Sequence, residues 1–200
     1  GGFVAKLFDD LILFVPVIIS SAGQNNSFFT SELTLTNRST REVVLEYTYA
    51  AAFGGGSGRA TDTLPAGRQR VVPDAISYLR SLGVPIPETG NLGGTLGVRF
   101  SGLGSPTEGA VTVRTATPVS QGRVGLAYQG IPRGLTGPSY LFGLRHDATD
   151  RTNVAIQNAG AASEGSITLR LTVFAGLPIF PSLWPISRAL PDQTLAPGEF

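Results

Sequence analysis

The residues most able to do chemistry lie together in the second half of the chain, where the single histidine, His146, is followed by Asp147 and Asp150. A histidine beside a carboxylate is two thirds of an acyl-transfer triad. The third member must be a nucleophile held on a strained turn, and no Gly-x-Ser-x-Gly elbow occurs anywhere. Asp147, Asp150 and Asn153 could offer oxygen ligands to calcium. They lack the central glycine and closing glutamate of an EF-hand loop, and Asp and Asn at such spacing also start turns by bonding their own backbone. The run Gly54-Gly55-Gly56-Ser57-Gly58 has no Lys-Ser/Thr after it and no helix to present its N-terminal dipole to a phosphate, so it reads as a loop. There is no zinc spacing, dinucleotide fingerprint or matched pair of carboxylates. Tyr47, Tyr49 and Tyr128 could form a sugar-stacking platform, but their place on alternating strands favours core aromatics. Asn25-Asn26-Ser27 and Asn37-Arg38-Ser39 have the form of glycosylation sequons and read here as turns. The expectation is a protein that is not an enzyme and has no cofactor and no metal.

Composition points the same way. The 15 basic and 14 acidic residues are spread along all 200 positions, leaving no stripe to neutralise phosphates, so nucleic acid is not an expected partner. Every cation except Lys6 is arginine, which reads as the mark of a GC-rich bacterial genome. With 42% hydrophobic and 14% charged residues the chain is expected to fold. Cysteine is absent, which removes disulfides, thiolate metal sites and a thiol nucleophile. The apolar run 11–19 is too short for a membrane span and follows Asp9 and Asp10, which a signal peptide would not tolerate. The absence of methionine suggests a processed product or a piece of a longer chain.

The elements that would position these side chains are strands. Apolar residues alternate at Leu33 and Leu35, at Val43, Leu45, Tyr47 and Tyr49, at Leu96, Val98 and Phe100, at Val111 and Val113, and at Val124, Leu126 and Tyr128. Short strands separated by Gly, Pro, Ser and Asn clusters predict an antiparallel sandwich. Two stretches have helical spacing instead. Pro73 and Asp74 open a helix over 73–82, closed by Gly83. Val4, Leu7, Phe8, Leu11 and Ile12 predict a second over 3–12, with Lys6, Asp9 and Asp10 on its polar face.

The chain also echoes itself. Residues 31–51 reappear as 152–175, aligning Asn37 with Asn158, Leu33 and Leu35 with Val154 and Ile156, and Val43, Leu45, Tyr47 and Tyr49 with Ile167, Leu169, Leu171 and Val173. Both copies are expected to bury the same face. The Leu64-Pro65-Ala66-Gly67 turn returns as Leu195-Ala196-Pro197-Gly198, after which the second copy lacks the helix and strands that follow the first. The expected division is therefore an N-terminal donor-like segment 1–13, a complete sandwich 14–130, and a partial sandwich 131–200 repeating 14–67. An unfinished sandwich exposes strand edges and an apolar face. Phe3, Val4, Leu7, Phe8, Leu11, Ile12, Phe14, Val15, Val17 and Ile19 are the residues expected to cover it from a neighbouring subunit. A second contact is expected from the proline-stiffened loop 176–191, through Phe180, Leu183 and Trp184.

The segments SFFTSELTLTNRSTREVVLEYTYAAAFGGGSG, TLPAGRQRVVPDAISYLRSLG and RTNVAIQNAG resemble the tandem β-sandwich repeats of large bacterial secreted or cell-surface proteins. The resemblance implies an all-β fold of two tandem Ig-like sandwich units and an extracellular or cell-surface location, and it transfers no catalytic or binding residue. The expected function is a structural subunit of a filament or surface assembly, joined head to tail to copies of itself or to neighbouring repeats. The alternative is an adhesion or carbohydrate-binding module of a larger surface protein.

Overall fold

The computed structural model describes residues 10–200 apart from 133, 151, 153 and 176–185. These residues are predominantly β and fall into two compact units divided after Pro138. That division lies beyond the expected boundary at 130/131, because Phe14 and Ile131 exchange two backbone bonds of 2.8 Å and tie the chain after Gly130 to the first unit.

The first unit carries β1 (Leu11–Ala22), β2 (Phe28–Asn37), β3 (Val43–Phe53), β4 (Gly58–Leu64), β5 (Gln69–Val72), α1 (Ala75–Ser81), β6 (Leu92–Ser101), β7 (Gly109–Val119) and β8 (Gly122–Gln129). All pairings are antiparallel, in the order β4-β3-β6-β1-β2-β7-β8, with β5 added to β2. β1 changes partner along its length. It pairs with β6 from Leu11↔Phe100 to Ser20↔Leu92, and with β2 from Ser20↔Thr30 to Ala22↔Phe28. The register shifts between Val15 and Ile18, where Pro16 has no N–H to give to a ladder. Close approach decides one glycine: a Cβ on Gly94 would come within 2.0 Å of the Ala50 carbonyl oxygen, so the β3–β6 ladder closes only without a side chain there.

The alternating residues fill the core as their period requires. Leu33, Leu35, Val43, Leu45, Tyr47, Leu96, Val98, Phe100 and Val113 are fully buried, together with Val15 and Ile18 of β1. Each such burial is worth roughly 1.5–3 kcal/mol relative to an exposed side chain. α1 lays Ile76 and Leu79 on this core; Asp74 caps it by accepting from the Ser77 N–H at 3.0 Å, and Gly83 follows at φ 97°.

Two expectations change here. Leu11 and Ile12, placed in a helix over 3–12, are strand residues paired with Phe100 and Arg99, because the edge of β6 offers them a ladder and a core to cover. Asp10 is not helical either, and residues 3–9 lie outside the described residues. Val124 and Leu126 alternate correctly with Tyr128, yet Leu126 is 69% exposed on β8, which ends the strand order of its sheet.

The second unit contains β9 (Ile167–Leu169) paired with β12 (Gln193–Leu195), and β10 (Thr172–Ala175) paired with β11 (Ile186–Ala189). Ile167 stands opposite Leu195 as Val43 stands opposite Leu64. The asparagines match in detail. Asn37 donates its side-chain amide to the carbonyls of Leu64, Arg41 and Pro65 at 3.0, 2.8 and 3.1 Å and accepts from the Ser39 N–H at 2.9 Å. Asn158 donates to Leu195 and Gly165 at 3.1 and 3.2 Å and accepts from the Gly160 N–H at 3.0 Å. Their own N–H groups bond Arg68 O and Glu199 O, next to Gly67 and Gly198, whose φ values of 62° and 82° lie in the left-handed region that favours glycine.

The packing does not match. Among the described residues of 139–200, Leu195 and Asn158 are buried and no others. The expectation that both copies bury the same face is overturned: Val154 and Val173 are half exposed, at 50% and 52%, because no described strand lies over them.

Candidate functional site

The first unit has an open apolar groove of about 390 Å³ lined by Val17 and Ile19 of β1, Phe29 of β2, Thr115 of β7, and Gly125, Leu126 and Tyr128 of β8. Its floor is a relay of hydroxyls. Ile19 N–H donates to Ser31 Oγ at 2.9 Å, Ser31 Oγ and Thr115 Oγ1 are 2.7 Å apart, Thr115 Oγ1 and the Tyr128 hydroxyl 3.1 Å, and Tyr128 donates to the Val17 carbonyl. Burial raises the Tyr128 pKa, against a smaller lowering by hydrogen bonds from Thr115 and Ser31, so its proton stays on as a donor. Ser31 is fully buried with only hydroxyls and an amide as partners. This is the geometry of a capped strand edge, and among the described residues no base hydrogen-bonds Ser31.

A second polar cluster clamps α1 to the strands. Arg70 of β5 pairs with Asp62 of β4 and donates to the Tyr78 hydroxyl at 2.9 Å; Tyr78 donates to Asp62 at 2.5 Å and lies 3.4 Å from the buried Tyr47 hydroxyl. Burial pushes the Asp62 carboxyl up, but the bonds from Tyr78 and the Thr63 N–H and the nearby guanidinium outweigh it and hold the pKa below its ordinary value. A depressed folded pKa adds stability that is complete above the ordinary carboxylate value near ~3.9 and is lost as pH falls through the folded value. Asp62→Asn should therefore cost about 1–3 kcal/mol at pH 7, at the low end because the side chain is partly exposed, and should flatten the acid limb of stability. Urea midpoints of both proteins at pH 7 and near pH ~3 check this; equal acid losses in the two would refute it.

The second unit exposes large apolar side chains. Tyr140, Leu141, Phe142 and Leu144 project from the stretch 139–145, with Phe142 87% exposed and stacked on Tyr140 at 6.3 Å, and Val173 and Phe174 project from β10.

Of the expected interface residues, β1 brings together Leu11, Ile12, Phe14, Val15, Val17 and Ile19. They serve their own unit first. Val15 is fully buried in the first core and Leu11 is partly buried against it; Val17 and Ile19 reach the groove. Phe3, Val4, Leu7, Phe8, Phe180, Leu183 and Trp184 lie outside the described residues. Phe29 and the pair Tyr140–Phe142 were not singled out from sequence. The signal for the pair was there in 134–144, a stretch with no charge and five large apolar residues, counting Tyr140.

His146 is exposed on a hairpin in which Arg145 O accepts the Thr152 N–H at 3.0 Å. Asp147 Oδ1 accepts from Thr149 N–H, Thr149 Oγ1 and Asp150 N–H at 2.8, 2.9 and 2.8 Å, and these bonds hold its pKa below the ordinary value. The carboxylate is thus spent on its own turn. Tyr47 and Tyr49 are core residues, not a sugar platform; burial pushes the Tyr49 hydroxyl up to about 12. Among the described residues, no helix is long and apolar enough to cross a membrane, and no three His, Cys, Asp or Glu gather as metal ligands. Compared with known proteins, the chain matches no family model, no curated protein and no solved structure.

Proposed function

We propose that this is a non-enzymatic structural protein of the bacterial cell surface or exterior, built of tandem Ig-like sandwiches, whose copies join head to tail. The observation that carries the reading is the second unit: it forms the strand pairs and asparagine bonds of the first, yet leaves Phe142, Val173 and Phe174 in water. In this reading β4-β3-β6-β1 and β5-β2-β7-β8 are the two layers of one sandwich, joined where β1 changes partner at Ser20. The donor is the amphipathic N-terminal segment, now narrowed to Phe3, Val4, Leu7 and Phe8 because β1 from Leu11 onward belongs to its own unit. Contact of one surface with a different surface on the next copy propagates into a filament unless it closes into a ring. The stacked Tyr140–Phe142 pair also favours a second reading, adhesion to sugars through the same exposed aromatics.

Sedimentation velocity separates these. The full chain should show concentration-dependent assembly, removal of residues 1–10 should leave monomers, and Trp184→Ala should weaken assembly without unfolding. Assembly unchanged by the deletion overturns the head-to-tail reading, and a competable glycan-array signal lost in Phe142→Ala favours adhesion instead.

A further inference from the structure

The outer edge of β8 is used at one point and then left open. Gly130 N–H bonds the Val111 carbonyl at 2.9 Å, so the even-numbered residues of β8 turn their backbone groups to β7 and the odd-numbered ones turn theirs away. Ile131, next in the outward set, exchanges two bonds of 2.8 Å with Phe14 of β1. Behind it Gln129, Ala127, Gly125 and Arg123 present N–H and C=O groups that have no backbone partner among the described residues. The open run is closed at its other end by the two-residue turn Ser120-Gln121.

An unpaired edge is a template for another strand, and proteins guard such edges with charge, proline or a bulge. β4, at the other end of the strand order, carries Arg59 and Asp62. β8 has Arg123 as its one charge and no proline, and its exposed Val124 and Leu126 share a face with Tyr128. The run is also complementary to itself. A two-fold axis through Gly125 sets Val124 against Leu126 and Tyr128 against Gly122 on one face, and Arg123 against Ala127 on the other. The outward groups of Arg123, Gly125 and Ala127 then meet those of Ala127, Gly125 and Arg123 in the second copy, as an antiparallel ladder requires. The two guanidiniums fall about 13 Å apart along the strand, beyond the roughly 8 Å over which exposed charges act at physiological salt. The second copy's Ser120-Gln121 turn comes opposite Gln129 and Gly130, short of the Ile131 rung.

We propose that β8 is a pairing edge for β8 of a second copy of this chain, antiparallel and centred on Gly125. Main-chain bonds supply the attraction and the facing side chains supply register, as in other strand additions. The contact is isologous, so it closes at two chains. It uses neither residues 1–10 nor the second unit, and so goes beyond head-to-tail joining. One strand a side is well short of the roughly 20–30 residues of a standard interface, so dilute single chains meet only in passing, and the contact gains strength where strings of copies lie side by side.

The test traps that passing contact. The chain has no cysteine, so one placed by substitution is its only thiol. Full-length Val124→Cys and Leu126→Cys chains are mixed in a glutathione buffer, and the linked pairs are told apart by intact mass. The mixed pair should outnumber both self-pairs and form at least about tenfold faster than a Val119→Cys chain links to itself, because residues facing each other across this centre lie within disulfide reach. Ala127→Arg in both chains should remove the advantage by setting a second cation against Arg123 of the neighbour, and adding Arg123→Glu should restore it. A mixed pair no faster than the Val119→Cys self-pair overturns the proposal. Preferential linking of Leu126→Cys chains to themselves also overturns it, since that places the centre elsewhere. So does an advantage that survives Ala127→Arg, or one that Arg123→Glu fails to restore.

Discussion

Asn37→Ala is expected to destabilise the first unit by about 3 kcal/mol or more, a large loss for a polar-to-small change. The side chain is 1% exposed and donates to three carbonyls, of Leu64, Arg41 and Pro65, while its oxygen accepts from the N–H and hydroxyl of Ser39. Alanine leaves those groups desolvated and without that partner, at about 1–3 kcal/mol for each one that water cannot reach. Asn37→Asp separates the two roles, since the carboxylate still accepts from Ser39 but cannot donate to the carbonyls. Urea unfolding of both variants measures the loss. A midpoint shift equivalent to less than about 1 kcal/mol for alanine would show that water replaces the amide and that the bonds are incidental.

The second large effect is a difference in protection between the units. Amides of Val43–Tyr49 and Leu96–Phe100 lie in a ladder over a filled core and should open only with the whole first unit. Amides of 167–175 have Leu195 as the buried apolar residue beside them and should open locally, near the low end of the range of opening free energies. A gap of about 4 kcal/mol corresponds to roughly a thousandfold in exchange rate. The comparison is made at a dilution where the chain is monomeric by sedimentation. Similar protection in the two sets would mean that the second unit has a core of its own, and would remove the basis for the assembly reading.

What could be read in advance follows the physics of period and neighbour. Alternation at Val43–Tyr49 and Leu96–Phe100 identified residues that are fully buried, and Asp74 with Gly83 marked the ends of a helix. Alternation reports which face a side chain takes, not whether anything covers that face. This is why Val124, Leu126, Val154 and Val173 were assigned correctly to an apolar face and yet stand in water. Leu11 and Ile12 fitted a helical period, but a period has no knowledge of the β6 edge that claims them. The relay Ser31–Thr115–Tyr128 and the clamp Asp62–Arg70–Tyr78 were not legible, because each joins residues from separate strands that only the topology brings within reach. Asn37 was visible as half of a sequon, and its burial under the Leu64 carbonyl gives it a different task.

The recurrence of the asparagine bonds in a unit with almost no core bears on the order in which the chain folds. Asn158 bonds Gly160 and Gly165 nearby and Leu195 at a separation of 37 residues, beside the one apolar residue buried among the described residues of this unit, so hydrogen bonds hold this turn where little apolar packing does. The equivalent bonds of Asn37 close a contact that is near in sequence, whereas β1 must find β6, and β2 must find β7, across far longer loops whose closure entropy comes due first. The Asn37 turn then belongs to the folding nucleus of the first unit and the Phe100 core to its completion: loss of Asn37 slows refolding, while truncation of Phe100 chiefly hastens unfolding.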